Sequence, residues 1–246
     1  MKIALLEIDR ELAKNPPLED RIWALKGHLL FLTQQFAEAE KLYAIKEGSQ
    51  GYLRSLIPEY APLVGDDGIL PLKDFKRLIN QLSMASLLDR QPLAEKMIIY
   101  DSLKRNSPLE TAELIETMLR ISNPKWTQGR FHYDPETEHL DIDGPFFHSL
   151  YRRHGRRESE TIPARPLIRL IPLKSLALRN VQLESFRHLG GLDIQSLDIR
   201  GHTPLHLEAL EKLPSLQKLM IEPGQLSQSQ IDSLPDRITV HSISVK

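Results

Sequence analysis

Three short segments in the second half of the chain repeat one pattern of apolar residues at almost constant spacing. They are LKSLAL at 173–178, IQSLDI at 194–199 and LQKLMI at 216–221, with apolar residues at their first, fourth and sixth positions. Successive segments begin 21 and 22 residues apart. A fixed period of this length is typical of stacked repeats, in which each turn supplies one short strand and cannot bury its apolar side alone. The sequence therefore predicts a sheet built from successive repeats.

Alternation along each predicted strand divides its side chains between two faces of the sheet. The inward set is Leu176, Leu178, Leu197, Ile199, Leu219 and Ile221. The outward set forms two columns, which are Asp141, Ala177, Asp198 and Met220, and Asp143, Arg179, Arg200 and Glu222. HLDI at 139–142 and RITV at 237–240 are predicted to flank the sheet, with FHYD at 131–134 as a hairpin partner of the first. The outward columns form a mixed-charge surface, so Asp141, Asp143, Arg179, Asp198, Arg200, Met220 and Glu222 are candidate partner-binding residues.

The predicted sheet region has a family resemblance. FHYDPETEHLDIDG, PLKSLALRN, QSLDIRGHTPLHLEAL and SLQKLMIEPGQLSQSQIDSLPDRITV together resemble the leucine-rich C-terminal region that follows the catalytic domain in some bacterial serine/threonine protein kinases and in related repeat proteins. Asparagine, usual after each strand in such repeats, is replaced by Val181, His202 and Gly224. The sequence has no kinase Gly-rich loop, H-R-D or D-F-G motif. The resemblance therefore implies a leucine-rich-repeat fold and, as an alternative function, a regulatory accessory region of a bacterial signalling kinase.

The first half of the chain carries a different pattern, in IWALKGHLLFLTQQFAEAEKLY at 22–43. If Trp23 is the first signature position, then Gly27, Ala39 and Tyr43 fall on the further positions of a tetratricopeptide repeat. Gly27 and Ala39 are small where two antiparallel helices must approach closely. The segment thus resembles one tetratricopeptide repeat, and ALLEIDRELAKNPP at 4–17 is interpreted as the second helix of a preceding repeat.

Three more amphipathic helices are predicted at 70–88, 91–106 and 107–122, where apolar residues recur three and four positions apart. Ser107 and Pro108 supply the start of the last one. Pro124 ends the helical region because it lacks an amide donor and restricts the residue before it. We therefore predict an α+β protein, with an α-helical domain of tetratricopeptide-like hairpins over 1–122 and a small leucine-rich-repeat solenoid over 123–246.

Composition excludes several classes of function. Lysine and arginine number 32 against 33 aspartates and glutamates, which argues against overall attraction to nucleic acid or an anionic membrane. The chain has no cysteine, which excludes disulfides, thiolate metal sites and a cysteine nucleophile. No window approaches the roughly 18 apolar residues of a membrane span. We expect a cytoplasmic protein.

Candidate chemistry is sparse in the sequence. His132, Asp134, His139, Asp141 and Asp143 lie close together but match no metal-ligand spacing, so we interpret them as residues of a solvated face on an edge strand. No nucleophile elbow, zincin or Walker A motif occurs. We predict no enzyme activity, no cofactor and no metal site.

Two further surfaces are candidates for binding. Arg152, Arg153, Arg156 and Arg157 form a basic cluster beside Tyr151 and His154, which would suit nucleic acid or a phosphopeptide, although Glu158 and Glu160 follow at once. The first helix of the 22–43 hairpin would offer Arg21, Ala24, His28 and Phe31 to a groove, with Phe31 alternatively in the core. The main prediction is a non-catalytic scaffold that binds another protein through its repeat surfaces. The partner's identity and the oligomeric state stay open.

Overall fold

The protein combines α-helices with one six-stranded β-sheet, which confirms the predicted α+β class. The computed structural model describes residues 2–12, 19–45, 51–84, 90–150, 166–183, 186–202 and 207–244. The chain forms two compact units, a helical unit of Met1–Asn106 and a sheet unit of Ser107–Lys246. None of the described helices has the length and apolar character needed to cross a membrane.

The helical unit is made of consecutive helices, most of which pack on their neighbour in the chain. α6 also packs on α2. α4 was not predicted, because Pro58 lies inside it, although Leu53, Leu56 and Ile57 recur at helical spacing and are buried. The described helices of this unit are α1 (Lys2–Leu12), α2 (Glu19–Leu32), α3 (Phe36–Ile45), α4 (Gly51–Tyr60), α5 (Leu72–Met84) and α6 (Arg90–Arg105).

The hairpin of α2 and α3 is held close by its small residues. A methyl group added at Gly27 would lie 2.6 Å from Cε1 of Tyr43, and Ala39 is fully buried. The rings of Phe31 and Phe36 meet edge to face with their centroids 5.1 Å apart. Phe31 is therefore a core residue. The close approach predicted at Gly27 is observed, because the Tyr43 ring occupies the space that a side chain there would need.

A buried charge pair lies in the same unit. The Asp101 carboxylate is fully buried and accepts hydrogen bonds from Nε of Arg105, at 2.6 Å, and from its Nη2, at 2.9 Å. Gln34, in the turn between α2 and α3, donates from Nε2 to Asp101 at 2.9 Å and accepts from the Leu70 N–H at 2.6 Å. Arg105 also donates to the Leu70 carbonyl at 2.9 Å. This network joins the α2–α3 turn, the segment before α5 and helix α6.

Helix α7 (Pro108–Ser122) belongs to the sheet unit, although it was predicted to lie in the helical domain with the preceding helices. Asn106 ends α6 in a left-handed conformation, with φ of 49°, and Ser107 caps α7 by accepting the N–H of Glu110 at 3.3 Å. α7 packs against the first strand and against the 3-10 turn at Leu167–Leu170. The division between the units therefore comes about one helix before Pro124.

Strand order in the sheet follows chain order. The first two strands form an antiparallel hairpin, and all later neighbours are parallel. Short 3-10 turns at Leu167–Leu170, Phe186–Leu189 and Leu207–Lys212, and helix α8 (Gln228–Asp232), lie in the four parallel connections. The predicted hairpin partner and first flanking strand are therefore confirmed, and the last flanking strand begins two residues later than predicted, at Thr239. The strands are β1 (Arg130–Asp134), β2 (His139–Asp143), β3 (Ser175–Arg179), β4 (Ser196–Asp198), β5 (Lys218–Ile221) and β6 (Thr239–Ser242).

One face of the sheet carries a layer of leucines. Leu140, Leu176, Leu197 and Leu219 lie in register across β2 to β5, and each is fully buried. All six residues predicted to point inward are buried. Complete burial of a leucine side chain contributes about 1.5–3 kcal/mol. The layer is therefore a main source of stability in this unit.

A second set of contacts joins successive turns after the strands. The Nδ1 of His202 donates to the Val181 carbonyl at 2.7 Å, and Nε2 of Gln225 donates to the Ile199 carbonyl at 2.7 Å. The His202 ring is buried and meets the Phe186 ring edge to face at 5.1 Å. His202 thus links neighbouring turns from a position where asparagine was the expected residue. Burial lowers the pKa of His202 below its ordinary 6.5.

Substitution of Gly27 by alanine should destabilise the helical unit. Alanine gains about 1 kcal/mol of helix propensity over glycine, but overpacking against the Tyr43 ring costs about 1–3 kcal/mol. We expect a net loss of about 1 kcal/mol in denaturant unfolding. Gly51→Ala is the matched control, since nothing lies within 4 Å of the added carbon there. A Gly27→Ala protein as stable as Gly51→Ala would contradict the close approach.

Removal of the Asp101 charge should lower the free energy of unfolding of the helical unit much more than Gly27→Ala does. Asp101→Asn removes the buried carboxylate that contacts the Arg105 guanidinium at 2.6 and 2.9 Å, and loss of one partner of a buried ion pair typically costs about 3–5 kcal/mol. The control is Glu38→Gln, which breaks an exposed Lys41–Glu38 pair with an N–O distance of 2.8 Å and should cost about 0.5 kcal/mol or less. Equal free energies of unfolding for the two variants would show that the buried pair is not a stabilising contact.

Stability of the sheet unit should fall in acid through His202. Its pKa in the folded state is lowered, so the unfolded chain binds the proton first as pH drops below 6.5. The free energy of unfolding should be level above that value and decrease below it, by at most about 1.4 kcal/mol per pH unit for this group. His202→Asn keeps a donor without titrating in this range. The pH dependence should therefore be shallower in that variant, and identical slopes in the two proteins would rule out His202 as the cause.

Candidate functional site

The sheet face opposite the leucines is polar, and we call it the polar face. Its residues lie in rows across the strands, as the register of the pairs shows. The first row is Asp134, His139, Ser175, Ser196, Lys218 and Thr239. The second row is His132, Asp141, Ala177, Asp198, Met220 and His241. The third row contains Arg130, Asp143 and Arg179.

The structure places the predicted columns largely where the sequence analysis expected them. Asp141, Ala177, Asp198 and Met220 lie in register in the second row. Asp143 and Arg179 are paired in the third. Arg200 lies two residues after the end of β4 and Glu222 directly after β5, both beyond the paired residues. The candidate residues thus share one surface.

Asp141 differs from its expected environment. It was interpreted as a solvated residue on an edge strand, but only 6% of it is exposed, and β2 lies inside the sheet because β1 pairs along its outer side. Its Oδ2 accepts hydrogen bonds from Nη2 of Arg130 and from Nη2 of Arg179, each at 2.5 Å. The interpretation as a solvated residue is therefore wrong, since hairpin pairing brings Arg130 next to the carboxylate.

Arg130 was not among the predicted residues, and the local structure fixes where it lies. Gly129, directly before it, packs so closely on Trp126 that an added methyl group would lie 1.4 Å from the indole Nε1. That indole donates to the Asp143 carbonyl at 3.0 Å, which anchors the start of β1 on the end of β2. The Arg120 guanidinium lies 4.7 Å from the centre of the Trp126 ring. The sequence feature that could have identified Arg130 as a site residue is its position directly before the predicted hairpin strand.

Asp143 has a looser environment on the same face. Its Oδ2 lies 3.6 Å from Nη2 of Arg130. Its Oδ1 accepts a hydrogen bond from Nδ2 of Asn180 at 3.1 Å. Asn180 adopts a left-handed backbone, with φ of 54°, directly after β3. The carboxylate of Asp143 therefore joins the ends of β1, β2 and β3.

Asp198 and Arg200 form a second ion pair on this surface. Nε of Arg200 donates to Oδ1 at 3.0 Å, and Nη2 donates to Oδ2 at 2.7 Å, which is the two-pronged geometry that guanidinium and carboxylate groups favour. The hydrogen bond with Asp198 raises the pKa of Arg200 above its ordinary value. The Asp198 side chain is buried, with 4% of the residue exposed. Arg200 is therefore held in a single orientation.

The ion pairs expose their cationic partners more than their anionic ones. Side-chain exposure is 56% for Arg130, 29% for Arg179 and 18% for Arg200, against 8% for Asp141 and 6% for Asp198. Each guanidinium has five N–H donors, and these contacts use only part of them. The surface can therefore offer oriented donors to carboxylate or carbonyl oxygens of a bound molecule.

Asp134, the last residue of β1, contributes to local structure. Asp134 accepts hydrogen bonds from the Thr137 hydroxyl at 2.6 Å and the Glu136 N–H at 3.0 Å, and these bonds lower the pKa of its carboxyl. The Asp134 side chain thus stabilises the turn between β1 and β2. Among the residues that the structure describes, no group of three or more histidine, aspartate or glutamate side chains is arranged to hold a metal ion.

Two other surfaces were predicted from the sequence. The arginine cluster of Arg152, Arg153, Arg156 and Arg157 lies outside the described residues. In the helical groove Phe31 is buried in the core, and the side chain of Arg21 is outside the described set. Comparison with known proteins adds no assignment. No family model matches the chain, and no curated protein or solved structure matches it significantly.

Proposed function

We propose that the protein is a non-catalytic scaffold that binds another protein on the polar face of its sheet. The main observation that supports this proposal is the set of polar rows in register across six strands. The exposed residues in these rows include His132, Lys218, Thr239 and His241. Parallel sheets usually have both faces covered by helices. A mainly parallel sheet with an exposed polar face is a surface on which a partner can lie.

The chemistry of the polar face supports recognition of a protein. Arg130, Arg179 and Arg200 are oriented by buried carboxylates, so little side-chain entropy is lost when they bind a partner's oxygen atoms. Half-buried Met220 adds a small apolar patch beside them. Mixed charge of this kind selects a partner by complementarity and resists nonspecific adhesion.

The architecture supports the same proposal. The strand period, the leucine layer and the short connecting turns are the features of a leucine-rich-repeat sheet. The contact between Gly27 and Tyr43 is the feature of a tetratricopeptide-like hairpin. We infer that both units are repeat-type folds. Stacked repeats of these kinds provide extended surfaces for protein ligands.

A double substitution on the polar face tests the proposal. Ser196 and Lys218 are direct neighbours in register. The variant Ser196→Arg with Lys218→Glu places a positive charge at 196 and replaces the positive charge at 218 by a negative one, while the two new side chains can pair with each other and spare the fold. We expect this variant to retain about tenfold less of the partner than the wild type in affinity capture from lysate of the source cell, measured by quantitative mass spectrometry, since 1.4 kcal/mol of binding energy is a factor of ten.

The matched control is Lys73→Glu with Lys96→Glu, two exposed positions in the helical unit. It should capture as much of the partner as the wild type. If the control loses the partner and the polar-face variant keeps it, binding belongs to the helical unit. If the wild type retains no protein in stoichiometric amount, the scaffold proposal fails.

A further inference from the structure

The last strand, β6, forms one edge of the sheet. It pairs with β5 alone, since the strand order ends there. The Thr239 N–H donates to the Gln217 carbonyl at 2.8 Å, and the Ile243 N–H donates to the Ile221 carbonyl at 2.9 Å. Odd-numbered residues of β6 therefore direct their amides toward β5.

The even-numbered residues of β6 direct their backbone groups the other way. Successive residues of a strand alternate in the direction of their N–H and C=O groups, so those of Val240 and Ser242 point away from β5. Within the part of the chain that the structure describes, these two residues have no backbone hydrogen-bond partner on that side. The edge thus presents donors and acceptors in the plane of the sheet.

This edge has no charged residue or proline that would block pairing, and its short length of four residues is the one usual protection it has. Natural edge strands are commonly blocked by charged residues, proline or a bulge. Residues 238–244, ITVHSIS, contain no lysine, arginine, aspartate, glutamate or proline. The opposite edge, β1, carries Arg130 and Asp134. The two edges therefore differ, and only the β6 edge has a sequence suited to accept another strand.

β6 is complementary to itself. In an antiparallel pairing about a twofold axis at Val240, the Val240 residues of the two copies exchange both backbone hydrogen bonds, because each directs its N–H and C=O outward. Thr239 then lies opposite His241 of the second copy, and both belong to the polar face. Val240 lies in register with Leu219, so its side chain continues the leucine layer toward the axis. Val240 thus faces Val240 and Thr239 faces His241, whereas Ser242 lies opposite Ile238. The Ile238 N–H already donates to the Pro235 carbonyl at 2.8 Å, so the two Val240 residues supply the backbone hydrogen bonds of this register.

We propose that β6 pairs with β6 of a second copy of this chain, so that the two sheets join edge to edge in a twofold dimer. An interface of this kind is isologous, with the same residues on both sides. The strand has four residues, so the backbone bonds are few and the association should depend on concentration. The pairing does not require that the polar face bind a partner.

The register predicts opposite effects for two matched variants. Thr239→Lys with His241→Lys places like charges opposite each other at both symmetry-related pairs, which destabilises cross-strand contacts. Thr239→Lys with His241→Glu places a lysine opposite a glutamate at the same two pairs. Thr239 and His241 are exposed, and both variants share the Thr239→Lys change beside Lys218, so any repulsion within one subunit is common to the two. Far-ultraviolet circular dichroism checks that both fold like the wild type.

Sedimentation velocity of the full chain over a hundredfold range of concentration is the test. The wild type should shift from monomer toward dimer, the lysine–lysine variant should stay monomeric, and the lysine–glutamate variant should dimerise at least as strongly as the wild type. A wild type that stays monomeric throughout would overturn the proposal. Equal dimerisation of the two variants would overturn it as well, since association would then use another surface or register.

Discussion

Burial of one leucine per strand is the contact on which the sheet unit depends. β4 has three residues and β5 has four, and strands this short are marginal when held by backbone hydrogen bonds alone. Leu140, Leu176, Leu197 and Leu219 lie in line, so each new strand covers the leucine of the one before. Register is fixed by this contact, because a slip of one residue would expose every leucine. The polar face follows from it, since alternate residues must then point the other way.

How far the sheet could be predicted from sequence depends on the range of each contact. The inward positions of Leu176, Leu197 and Leu219 follow from a period of two within a strand and a fixed distance between strands. The surroundings of Asp141 do not, because its partners lie 11 and 38 residues away in the chain. A carboxylate beside histidines is interpreted as solvated when only its neighbours in sequence are considered.

In the helical unit, too, contacts between residues that are distant in the chain could not be predicted from the sequence. Gly27 and Ala39 were predictable because close packing of two adjacent helices requires small residues at fixed spacing. Asp101 and Arg105 lie four residues apart on α6, a spacing that is common for solvent-exposed pairs. Their burial depends on Gln34, which is 67 residues away from Asp101. Sequence patterns predict the helices but do not indicate which of their charged side chains are buried.

The Asp101 network also bears on how the helical unit reaches its folded state. The hydrogen bond between Gln34 and Asp101 joins residues 67 positions apart, so it forms only after a large loop has closed. Closure of such loops slows folding. Until α6 packs in place, Nε2 of Gln34 lacks the Asp101 carboxylate as its hydrogen-bond acceptor. Among the described residues each parallel strand pairs with its neighbours in the chain order, so the strands can be added one after another, as in other one-dimensional arrays. The two units should therefore differ in cooperativity, with all-or-none formation of the helical unit and stepwise growth or fraying of the sheet.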